Sequence, residues 1–95
     1  MKVLQIPQFK NYVKKLPRHF QQVVLDAVED VLANPDVGKL KKGDLEGFRV
    51  HKFTMVRQLT LMAYKVENDS IVLYQVGPHE NFYKNLKKYL KETGG

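Results

Sequence analysis

The sequence predicts an α+β fold: an N-terminal helical hairpin packed on an antiparallel-rich four-stranded sheet, with a C-terminal helix, in the order β-α-α-β-β-β-α. Three observations carry this reading. Two amphipathic runs meet at Pro17, three β-rich runs follow one another between Phe48 and Val76, and a last apolar stripe of helical period lies under a lysine-rich face. Two helices joined at a proline form an antiparallel hairpin, and its broad apolar face needs a sheet to cover.

Lys2 to Ile6 is short and apolar-biased, as an edge strand is. Pro7 suits the first position of a helix, and Phe9, Tyr12, Val13 and Leu16 follow at i, i+3, i+4 and i+7. Pro17 ends that helix near Leu16. A second helix is marked by Phe20, Val23, Val24, Ala27, Val28, Val31 and Leu32, flanked by polar Gln21, Gln22, Asp26, Glu29 and Asp30. Asn34-Pro35 stops it, because a residue before proline is steered out of the helical region.

Pro35 to Gly47 reads as a loop, with glycines spaced among lysines. Phe48 to Phe53 alternates as a strand, placing Phe48 and Val50 toward the core and Arg49 and His51 on the other face. Leu59 to Val66 and Ser70 to Val76, divided by Glu67-Asn68-Asp69, read as a tight hairpin. Phe82, Leu86, Tyr89 and Leu90 mark the last helix, and Thr93-Gly94-Gly95 a frayed end.

At 95 residues, 43% of them hydrophobic, one domain with one core is expected. The chain has no cysteine, so disulfide frameworks and thiolate metal sites are excluded. No apolar run reaches the ~18 to 20 residues of a membrane span, and MKVLQIPQFK lacks a signal-peptide core, so a cytoplasmic protein is expected. The net charge of +6 points to a polyanionic or acidic partner. Its cations crowd the middle, at Lys39, Lys41, Lys42, Arg49, Lys52 and Arg57, and the C-terminal end.

The run GKLKKGDLEGFRVHKF, followed by a hairpin ending in LYQVGPHENFYKNL, resembles the RelE/ParE superfamily of type II toxin–antitoxin toxins over nearly the whole chain. The Gly-x-His-x-x-Phe-Tyr ending is similar to that of RelE-like members of the YafQ type. The resemblance implies a toxin whose sheet cradles ribosome-bound mRNA and cuts it without a metal, inhibiting translation. It also implies a cognate antitoxin that wraps the toxin, and a toxin–antitoxin hetero-oligomer that binds operator DNA through the antitoxin. Carried over, His79 falls on the C-terminal catalytic histidine and Tyr83 on its aromatic, while Arg49 and His51 lie on the strand where RelE has two lysines. One departure stands on the next strand, where RelE has an arginine three residues before a tyrosine and this chain has Leu61 before Tyr64, the nearest arginine being Arg57.

Metal-free RNA cleavage needs a base for the 2′-hydroxyl, cations for the charge developing on phosphorus, and an acid for the leaving oxygen. His79 and His51 are the candidate proton-transfer groups, Arg49 and Arg57 the charge-stabilising cations, and Tyr83 the substrate-orienting aromatic. Lys52, Lys41 and Lys42 are candidate RNA contacts. If Gly77 or Pro78 opens the last helix, its positive end favours neutral imidazole at His79. Structural alternatives accompany each: a turn histidine for His79, an exposed strand residue for His51, a solvated face for the cations. Tyr64 either stacks on a base or fills the core, and its apolar surroundings favour the core. His19 reads as solvent-facing. The histidines show no zinc-ligand spacing, so neither metal nor other cofactor is expected. Two other functions compete: a ParE-like toxin that inhibits DNA gyrase by binding, and an inactive antitoxin-binding homologue.

Overall fold

Prolines set the limits of the helical hairpin. After β1 (Lys2–Gln5), Pro7 opens α1 (Pro7–Lys14), and Pro17 caps α2 (Arg18–Ala33). Asn34 then turns out of the helix at φ −147°, ψ 92°, ahead of Pro35. The computed structural model describes residues 1–94, so Gly95 of the expected frayed end lies outside the described residues.

The sheet has five strands rather than four. β2 (Lys39–Leu40), β3 (Arg49–Met55), β4 (Gln58–Glu67) and β5 (Ser70–Pro78) join β1 in the order β1-β5-β4-β3-β2. β1 runs parallel to β5 and every other pair is antiparallel. The extra strand lies in the segment expected as loop: Lys39 pairs with Val50 and Leu40 with Arg49, two residues being too few to leave a periodic trace. The β4–β5 hairpin closes where expected, with Asn68 taking the left-handed conformation (φ 53°) that asparagine tolerates.

Both faces of the sheet are covered. On one, Phe9 of α1 and Val24, Ala27, Val28 and Val31 of α2 pack on Met55, Met62, Tyr64, Ile71, Leu73 and Val76. On the other, α3 (Phe82–Glu92) buries Phe82 and Leu86 against Phe48, Val50, Leu61 and Ala63, with Leu45 closing the edge. A bulge at Ala63/Tyr64 leaves Tyr74 unpaired on the α3 face and returns Val76 to the hairpin face. The last helix begins at Phe82, not at Gly77 or Pro78. Pro78 ends β5, and Asn81 at φ 61° makes the corner.

Candidate nucleic-acid interface

The register of β3 on β4 sorts the candidate residues by face. Lys52 stands opposite Leu61 and Val50 opposite Ala63, so Lys52 lies on the α3 face, while Arg49 stands opposite Tyr64 and His51 opposite Met62 on the hairpin face. Alternation along a strand permits nothing else, because neighbouring side chains point to opposite sides.

On the α3 face, His79 follows β5 and extends its pairing, its N–H donating to the Leu59 carbonyl at 3.2 Å. The exposed imidazole meets the Tyr83 ring edge to face, with centroids 6.5 Å apart. Tyr83, in the first turn of α3 beyond the Asn81 corner, lies half-buried against the α3-side core. Over its ring hangs the Lys41 ammonium, 4.9 Å from the centroid. Lys41, Lys42, Asp44, Leu45, Tyr83 and Lys87 line an open cleft of ≈ 250 Å³. Asp44 lies 3.9 Å from Lys87 and is the only acid in that lining. Exposed Lys52 projects from β3 on the same side.

Arg49, His51 and Tyr64 do not belong to this constellation. Arg49 donates to the Gly38 carbonyl at 2.9 Å and the Asp36 carbonyl at 3.3 Å, and its other nitrogen lies 3.3 Å from the Asp36 carboxylate. It fastens the chain after α2 to the sheet. His51 is held between β3 and α2, its side chain 12% exposed, with Nε2 3.5 Å from the Asp30 carboxylate. His51 and His79 therefore cannot share one phosphate: the sheet lies between them. Tyr64 is fully buried, so it offers no ring to a base. Its hydroxyl donates to the Pro35 carbonyl at 2.7 Å and accepts the Gly38 N–H at 2.9 Å. Burial pushes its pKa up, partly offset by the Gly38 bond. Arg57 sits exposed in the two-residue turn between β3 and β4.

The α3 face thus offers the His79 imidazole, the half-buried Tyr83 phenol beside it and several cations, a set suited to gripping a phosphate backbone and moving one proton beside it. Among the described residues no three His, Asp or Glu side chains converge as a metal site requires. Two cations outside the candidate set also reach the site. Lys39 reaches this face through β2, and Lys87, which reads as a solubilising residue, lines the cleft. Neither left a usable signal, since β2 is two residues long and Lys87 is one of several lysines on the outer face of α3. His19 is exposed, as expected. No described helix is long and apolar enough to cross a membrane.

Comparison with solved structures places this architecture beside RelE toxins. The Mycobacterium tuberculosis toxin–antitoxin complex RelBE2 superposes with a TM-score of 0.69 at 20% identity, covering 82% of this chain and 96% of that one. The intact Escherichia coli RelBE complex gives 0.65 at 15% identity, over 83% of this chain and 96% of that one. Isolated E. coli RelE gives 0.63 at 15% identity, over 94% of this chain and 98% of that one. At these identities the likeness is one of fold. No curated protein matches the sequence. A family model described as the ParE-like toxin of type II bacterial toxin–antitoxin systems matches residues 3–87. The chain therefore belongs to the ParE-like toxin family and is, within the RelE/ParE superfamily, the toxin of a bacterial type II toxin–antitoxin system.

Proposed function

We propose that this toxin is a metal-independent endoribonuclease that cuts mRNA on the ribosome with its α3 face. The observation that carries the reading is the exposed His79 imidazole set against Tyr83, whose ring also carries the Lys41 ammonium, on a cation-rich face. In this scheme neutral His79 takes the proton of a 2′-hydroxyl, and the freed oxygen attacks the adjacent phosphorus. The bond to the 5′-oxygen breaks, and that oxygen collects a proton from water, because no second imidazole shares the face. The products are a 2′,3′-cyclic phosphate and a 5′-hydroxyl. Lys52 and Lys41 draw in the phosphates and offset the charge that grows on the phosphorane. Tyr83 orients the bound nucleotide, stacking on splayed bases being the usual route to single-stranded RNA. A cognate antitoxin is the proposed protein partner, as in the RelBE neighbours, and the assembled pair is proposed to bind operator DNA through the antitoxin.

A second reading, inhibition of gyrase by binding, draws support from Leu61. It is fully buried where RelE carries an arginine, so this face has fewer groups for phosphoryl chemistry. The ParE-like family match points the same way. Purified toxin incubated with message-loaded ribosomes separates the two. The nuclease reading expects cut message and no gyrase trapped on DNA, and it fails if the message stays whole while gyrase stalls.

A further inference from the structure

We propose that the turn joining β3 to β4, Val56-Arg57, is an RNA-gripping tip whose strained backbone is retained for the two side chains it displays; this rests on the RNA-cutting reading above. Met55 pairs with Gln58, so the loop is two residues long, and both take positive φ, 49° at Val56 and 64° at Arg57. That is the type I′ pattern, which asparagine and glycine satisfy without strain and a β-branched residue resists. The chain supplies neither Gly, Asn nor Asp here, whereas the β4–β5 hairpin of the same sheet turns on Asn68-Asp69.

Packing does not explain the choice. Val56 is 63% exposed and nearby Leu59 43%. Among the described residues Arg57 has neither an ion-pair nor a side-chain hydrogen-bond partner. Charge points to the occupant. From Gly47 to Val66 there is no Asp or Glu, and within that hairpin exposed Lys52 and Arg57 lie nearer the turn, whereas Arg49 at its far end is paired with Asp36. A basic turn with an apolar flank fits a sugar–phosphate chain. The Arg57 guanidinium grips two phosphate oxygens at once, and the Val56 methyls lie against sugar or base.

Position ties the tip to the proposed chemistry. The Leu59 carbonyl accepts the His79 N–H, so the turn extends beyond the rung that holds His79. At about 3.3 Å per residue, Arg57 stands roughly 7 Å past that rung. It positions RNA relative to His79 rather than touching the reacting phosphorus.

The test installs the relaxed turn. In a His79→Gln background that leaves RNA uncut, Val56→Asn with Arg57→Gly is compared with Val56→Asn alone for melting temperature and for binding to message-loaded ribosomes across a salt series. The double variant is expected to melt roughly 4–8 °C higher. It should bind at least about tenfold more weakly, with a log K against log salt slope shallower by about 1. Val56→Asn alone should also melt higher but keep the full slope. Unchanged affinity and slope in the double variant, or a lower melting temperature, overturns the proposal even where wild type cuts message. If instead wild type leaves message whole but the double variant still loses ribosome binding, the nuclease reading falls and the tip stands. Loss of antitoxin binding with ribosome binding intact would assign the tip to a protein partner and overturn it.

Discussion

The Lys41 ammonium stands 4.9 Å from the centre of the Tyr83 ring, joining the segment after β2 to the first turn of α3. Cation–π contacts at exposed sites contribute about 0.5–1 kcal/mol, and the same lysine lines the cleft in which the proposed function seats a phosphate. Lys41→Gln should therefore weaken binding to message-loaded ribosomes by about 5- to 30-fold, the effect shrinking as salt is raised. Equilibrium binding at two salt concentrations checks this.

Arg49 and His51 should matter to stability and not to cutting. Exposed Asp36 makes the ion pair a small contributor, ~0–1 kcal/mol. The larger loss in Arg49→Met is the bond to the Gly38 carbonyl, about 1–3 kcal/mol for a buried acceptor left unmet. Urea midpoints should fall for Arg49→Met while cleavage rates for it and for His51→Gln stay near wild type.

Gly38 is held against Tyr64. A Cβ at position 38 would lie 2.7 Å from the Tyr64 hydroxyl and 2.8 Å from its ring edge, and the fully buried ring has nowhere to go. Gly38→Ala should cost about 1–3 kcal/mol from overpacking. Tyr64→Phe should cost a similar amount, by leaving the Pro35 carbonyl unmet at one end and the Gly38 N–H at the other. Denaturant titration of each variant reads these losses.

Alkaline pH should loosen the fold through the same tyrosine. Burial holds Tyr64 above its ordinary value of 10.0, and burial together with Glu67 does so for Tyr74. A raised folded value means that the native state keeps a proton which the unfolded chain has begun to lose. This contribution is fully present below pH ~10 and declines as pH climbs from there toward the folded values. Thermal unfolding followed from pH 8 to 11 should show the fall above pH 10. Tyr64→Phe should make it shallower.

Periodicity gave the helices and the β3–β5 meander because each is long enough to repeat its pattern. Pro7, Pro17 and Asn34-Pro35 marked the helix limits for steric reasons that hold in any context. β2 was illegible, since Lys39-Leu40 has no period. The site was half legible. Alternation correctly separated Phe48 and Val50 from Arg49 and His51, but it cannot say whether the second face is open, and here α2 covers it. His51 consequently contacts Asp30 under α2, and Lys52, one residue on, is the β3 cation that reaches the α3 face. His79 and Tyr83 were recoverable through the Gly-x-His-x-x-Phe-Tyr ending, although a turn at Asn81 and not a helix joins them.

The end groups of message cut on the ribosome test the central claim most directly, with His79→Gln and His51→Gln run beside the wild type. The account predicts 2′,3′-cyclic phosphate and 5′-hydroxyl ends from wild type and His51→Gln, and a rate lowered about 10²- to 10⁴-fold in His79→Gln. Cleavage that survives in His79→Gln and vanishes in a stably folded His51→Gln would contradict it.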